Sequence, residues 1–194
     1  MKTHALLLVL AVVVPIAGGC FGSTPPSRFY VLSSEGRPLP GDAGPKGEAQ
    51  AVFLSRVELP EYLRQNEIVV RADGHQLVVA EQERWGEPLD KGVPRVLSRN
   101  LAALLPDHAL SAYPWERPPA PYSDVAVALT RFDAEGGQVY LEARWRIETD
   151  AGTLQRRTAI ARAVEGEGYP SIVAAMSAAL AALAQDIADA VQNG

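Results

Sequence analysis

The sequence predicts an α+β fold: an antiparallel or mixed sheet ending in a three-strand meander, packed by two main helices. Three observations carry this. Residues 123–164 split into three strand-like runs at Gly136-Gly137 and at Asp150-Ala151-Gly152. The middle run alternates without a break, with Val139, Leu141, Ala143, Trp145 and Ile147 on one side and Tyr140, Glu142, Arg144, Arg146 and Glu148 on the other. That is the pattern of a sheet with one covered face and one wet face. Two stretches, about 91–105 and 171–192, repeat apolar residues at three- and four-residue spacing, as amphipathic helices do.

The first element is not part of this fold. Lys2 and His4 precede an apolar run from Ala5 to Ala17, 13 residues long and too short for a lasting membrane span. Followed by Ala17-Gly18-Gly19, it reads as a signal peptide over 1–19. Cys20, the single cysteine of the 194-residue chain, comes next. A lone cysteine allows no internal disulfide, and its position directly after the small residues resembles a bacterial lipobox, in which the thiol takes a diacylglyceryl group and the new amino terminus is acylated. Residues 20–27, with Gly22, Pro25 and Pro26, form a lipidated tether. Phe21, not Asp, follows the cysteine, which favours the outer membrane, facing the periplasm.

Residues 28–194 then read as one folded domain. Arg28-Phe29-Tyr30-Val31-Leu32 is a first strand, and the Pro- and Gly-rich stretch from Ser33 to Gln50 is loop. Ala51 to Val57 is a strand that Pro60 stops. Ile68–Arg71 and Gln76–Ala80 flank Asp73-Gly74 as a hairpin, and Trp85 to Leu89 is an extended link. The helix from Lys91 or Val93 to Leu105 buries Val93, Val96, Leu97, Leu101, Leu104 and Leu105, with Asp90 as candidate N-cap and Pro94 in its first turn. Tyr113 to Ser123 carries four prolines and is loop. After the meander, the helix Ser171 to about Gln192 is the cover for its apolar face.

Chemistry is sparse. Lys and Arg number 18 against 23 Asp and Glu, a net charge of −5 with no basic run, which excludes nucleic acid as a partner. His75 and His108 sit in turns, no nucleophile elbow or phosphate-cradling glycine loop occurs, and no ligand set implies a metal or cofactor. Glu81 with Glu83 and Glu165 with Glu167 read as solvated faces. Arg144, Arg146, Arg156 and Arg157 either gather as a basic patch on the wet face or, the ordinary reading, pair across strands with Glu142 and Glu148. The densest stretch is Arg84-Trp85-Gly86-Glu87-Pro88-Leu89-Asp90. Trp85 there either caps the core, with Arg84 and Glu87 pairing nearby, or anchors a partner. Arg84, Trp85, Glu87 and Tyr62 are the candidate partner contacts.

Several blocks, in order, resemble the ABC-type transport auxiliary lipoproteins: Arg28 to Leu32, Leu59-Pro60-Glu61-Tyr62-Leu63, Ile68 to Arg71, Arg84 to Asp90, Arg95-Val96-Leu97-Ser98-Arg99-Asn100-Leu101, Pro114-Trp115, Arg131-Phe132-Asp133, Ala143-Arg144-Trp145 and the alanine-rich last helix. The chain departs at Ala17, where a lipobox usually has Leu, and at Gly86, where relatives often have Ala, which is expected to loosen the link after Trp85. The resemblance implies a non-enzymatic outer-membrane lipoprotein of an MCE-type envelope lipid transport system, docking the periplasm-spanning MCE protein, with a homo-oligomeric ring as one arrangement. It supplies no catalytic residues. The competing readings are an envelope-structural lipoprotein bound to cell-wall or assembly machinery and a periplasmic hydrolase using acids near Trp85.

Overall fold

A computed structural model describes residues 25–35 and 50–193. Cys20, the signal segment and most of the tether lie outside the described residues. The described elements are strands β1 (Arg28–Tyr30), β2 (Ala51–Glu58), β3 (Glu67–Asp73) and β4 (Gln76–Trp85), helix α1 (Leu89–Leu104), strands β5 (Ala109–Ala112), β6 (Tyr122–Glu135), β7 (Gln138–Thr149) and β8 (Gly152–Ala163), and helix α2 (Gly168–Asn193).

The meander forms where the alternation places it. Antiparallel pairing sets Val127 opposite Trp145 and Leu141 opposite Ile160, so one face collects the apolar set. Gly136 and Gly137 both take positive φ, which the tight β6–β7 turn requires. Helix α2 covers this face, burying Met176, Leu180, Leu183 and Ile187 against β7 and β8, with Ala179, Ala184 and Ala188 letting the helix lie close. Trp145 Nε1 donates to Thr158 Oγ1 at 3.0 Å, and that hydroxyl donates to Asp186 of α2 at 2.9 Å, tying sheet to helix through polar groups. Helix α1 packs beside α2 and on β2 and β5. Each fully buried Leu or Ile is worth roughly 1.5–3 kcal/mol, so this double helical layer is the main source of cohesion.

Helix α1 starts earlier than its sequence suggests. The amides of Lys91 and Gly92 both donate to the carbonyl of Pro88, at 2.9 and 3.0 Å, so Asp90 lies inside the first turn and is not the N-cap. Pro94 consequently falls in the second turn. The reason is Glu87, whose carboxylate lies against Gly92 and pairs with Arg95; a Cβ at 92 would meet its Oε1 at 3.3 Å. That pair pulls the chain into helix two residues early.

The sheet runs β1-β4-β3-β6-β2-β5, with β7 and β8 added on the other side of β6. Strand β6 is the hub. Its one edge is shared, with β2 parallel along 122–128 and β3 touching at Ala134, while β7 takes the whole opposite edge. Between β2 and β3 the chain turns through a single 3-10 turn, Glu61–Leu63. Tyr62 in that turn fills the gap: its hydroxyl accepts the Phe132 amide at 3.3 Å and donates to Asp133 at 2.7 Å. Asp133 is fully buried and also receives Arg71 from β3 at 3.0 Å and Arg131 at 3.0 Å. Burial works against ionisation of Asp133, but the hydrogen bonds from Arg71, Tyr62 and Arg131 outweigh it and hold the carboxyl below its ordinary value. Burial, with the bond to Asp133, pushes the Tyr62 phenol up to about 12.

A depressed carboxyl stabilises the fold above its unfolded value, near pH 4, and that contribution is lost as pH falls below it. Asp133→Asn should therefore cost roughly 2–3 kcal/mol at neutral pH, because two arginines lose their shared anion. Its melting curve should also flatten below about pH 4 relative to the parent chain, as measured by thermal unfolding from pH 3 to 7. An unchanged acid limb would contradict the assignment.

Candidate functional site

The four residues singled out from the sequence occupy separate settings. Trp85 ends β4 only 6% exposed and belongs to the core. Arg84 pairs with Glu67 of β3 at 3.2 Å and keeps 41% of its side chain open. Glu87 holds Arg95, whose Nη2 also donates to the Leu32 carbonyl at 3.0 Å. The expected Arg84–Glu87 pairing is thus replaced by two pairs to other elements. Tyr62 points its hydroxyl to Asp133. The link after Trp85 is tight, not loose: the Gly86 amide donates to Tyr30 at 2.7 Å, and a Cβ at 86 would stand 3.1 Å from Val31.

Glu83, expected on a solvated face, is buried. Parallel pairing of β1 with β4 sets Arg28 opposite Glu83. Arg28 Nε donates to both carboxylate oxygens at 3.0 and 3.1 Å, and the Tyr30 hydroxyl donates at 2.7 Å. The Arg28 hydrogen bond, against the effect of burial, lowers the Glu83 carboxyl below its ordinary value, and the same carboxylate raises the Tyr30 phenol. This carboxylate ties β1 to β4 through Arg28 and Tyr30.

A broad groove lies elsewhere. It occupies about 980 Å³ between the end of β2, the first half of α1, and β5 with the residues after it. Its rim carries Tyr113 and Trp115, which are 70% and 77% exposed. The chain puts them there by two backbone bonds: the Tyr113 amide donates to Leu54 and the Trp115 amide to Ala112, both at 3.0 Å. Lys91, Arg95 and Arg99 of α1 and Arg64 line the same groove. Arg95 and Arg64 are paired with Glu87 and Glu61, whereas Lys91 and Arg99 form no ion pair among the described residues. Asp90 is the acid of the helical wall and Glu58 of β2, paired with Arg56 at 2.6 Å, is the acid of the strand wall; among the described residues no histidine lines the groove. Such a rim of exposed aromatics and cations suits a partner's surface better than proton transfer. His75 is exposed in its turn and His108 is half-buried before β5, and neither meets a group of three or more metal-ligating side chains among the described residues.

Comparison with known proteins decides the family. The model of the ABC-type transport auxiliary lipoprotein component family matches residues 30–188. The chain belongs to that family. Intermembrane transport lipoprotein PqiC of Escherichia coli (strain K12) is 22% identical over 143 residues, covering 73% of this chain and 75% of that relative. The protein of the same description from Shigella flexneri matches equally. Among solved structures, an uncharacterized protein aligns over 86% of this chain and 99% of its own with a TM-score of 0.72 at 20% identity. Protein XCC0632 from Xanthomonas campestris aligns over 84% of this chain and 93% of its own with a TM-score of 0.65 at 16% identity. These last two establish a shared fold. Relatives in this auxiliary lipoprotein family are transport components, which places the present chain among lipoproteins of a transport system of the cell envelope.

The two exposed aromatics escaped sequence reasoning because a four-proline loop gives no periodicity. The usable signal was composition: Tyr113 and Trp115 flank Pro114 in a stretch of four prolines, which no regular helix or strand can bury. The two tryptophans separate the roles. Trp85→Ala should lower stability by about 3–5 kcal/mol through the cavity it leaves. Trp115→Ala should change it by less than about 0.5 kcal/mol. Chemical denaturation of both variants checks this, and a large loss at Trp115 would contradict the surface assignment.

Proposed function

We propose that this chain is a non-enzymatic adaptor that holds a periplasm-spanning MCE-domain transport protein at the outer membrane, lipid-anchored through Cys20. The observation that carries this reading is the groove rimmed by exposed Tyr113 and Trp115 with Lys91 and Arg99, which form no ion pair among the described residues, in a chain of a transport-auxiliary family. The groove is the surface we assign to that partner, with the open side of Arg84 as an outlying contact. Of the two acids that line the groove, Glu58 is held by Arg56 and Asp90 has no histidine beside it among the described lining residues, which favours an adaptor over a hydrolase. A ring of identical copies around the end of the transport protein is the arrangement we favour for the assembly.

Replacing Cys20 with Ser should move the protein from the membrane to the soluble periplasmic fraction, read by fractionation; persistent membrane association would contradict the anchor. Crosslinking followed by purification of the membrane-bound chain should recover the MCE protein. Recovery of a cell-wall synthase without any MCE protein would instead favour the envelope-structural reading.

A further inference from the structure

Among the described residues the helices cover one face of the sheet, and the other carries no covering element at its β2–β6–β7–β8 end. Register places Arg56, Ala126, Arg146 and Gln155 side by side in one row across four strands, and Glu58, Ala128, Arg144 and Arg157 in the next. The two alanines floor a trough of about 720 Å³ whose walls are arginines. Arg56 is drawn to Glu58 at 2.6 Å and Arg146 to Glu148 at 3.6 Å, both with neighbours on their own strand. Arg144 and Arg157 stand directly opposite each other, and among the described residues neither has a carboxylate within ion-pair distance. The cross-strand pairing with Glu142 and Glu148 expected for Arg144 from the sequence is therefore not made.

Directly opposed like charges destabilise a sheet, and their Cβ atoms lie about 5 Å apart. The arrangement also runs against the overall charge of −5. Packing does not account for it, since both side chains are exposed. What two guanidinium forks at that spacing share best is one compact anion with several oxygens, which each can grip with two parallel hydrogen bonds. A floor of alanine methyls offers no anchor pocket for a peptide side chain, but it leaves depth for the ester end of a small phosphate. We propose that this trough is a phosphate-ester binding site, with Arg144 and Arg157 gripping the phosphate and Arg146 beside it. This goes beyond partner docking: the trough adjoins the aromatic-rimmed groove only at Arg56 and Glu58 of β2, and Arg144 and Arg157 line the trough alone.

The test uses the full chain carrying Cys20→Ser, so that no acyl anchor contributes. Calorimetric titration with sn-glycerol 3-phosphate and sedimentation with phosphatidylglycerol or phosphatidylcholine vesicles are compared between that chain, the double change Arg144→Gln with Arg157→Gln, and Arg162→Gln as an exposed control. The double change should weaken binding at least tenfold, the loss of one charge-assisted pair, and the control should not. Melting temperature should stay level or rise in the double variant, because a repulsive pair is removed; a purely structural pair would lower it. Binding to the soluble ester and to vesicles supports recognition of the phosphate from either source, and binding to vesicles alone assigns it to a lipid headgroup. No binding to either, equal binding by the double variant, or a preference for a poly-glutamate peptide would overturn the proposal.

Discussion

Strand β6 has to serve two partners along one edge, and the buried carboxylate of Asp133 holds the place where they part. Where β2 leaves and β3 arrives, the backbone of β6 would face a gap. The Tyr62 hydroxyl takes up the Phe132 amide there. Asp133 then gathers that hydroxyl with Arg71 and Arg131. Arg131 extends the cluster by lying over the Tyr140 ring at 4.2 Å and pairing with Glu135. An unpaired charge with no exposed surface would be costly, so each partner is required once the carboxylate is in place. Everything on the two sides of the fork, including the groove at the β2 end, inherits its position from this cluster.

The same logic joins the scattered blocks that the sequence singles out. Tyr62, Arg71 and Asp133 come from three of them and meet at one carboxylate. Arg28 and Tyr30 come from another and close on Glu83, just before the Trp85 block. Glu87 of that block reaches Arg95 of the next. The blocks are joints between distant segments, with no substrate needed to account for them.

What was legible in the sequence was local. Alternation from Val139 to Ile147 revealed the covered and wet faces, and three- and four-residue spacing revealed both helices, because those signals are periodic. The parallel joining of β1 to β4 and the short strand β5 carried no such period. Glu83 looked like a surface acid since its partners lie more than fifty positions earlier in the chain. Asp90 resembled an N-cap by residue type, and the Glu87–Arg95 pair overrode it. Trp85 and Trp115 could not be ranked from composition; the difference between them is entirely one of packing.

One sheet thus presents two neighbouring surfaces, a groove with an aromatic rim beside helix α1 and an arginine trough across β6, β7 and β8, which meet at Arg56 and Glu58 of β2. The account rests most directly on the groove being where the transport partner sits. Site-specific photo-crosslinking in intact cells, from a reactive aromatic placed at position 115 and from a second placed at exposed position 153 near the start of β8, measures this. The account predicts an adduct with the MCE-domain protein from position 115 and none from 153. An adduct from 153 alone would contradict it.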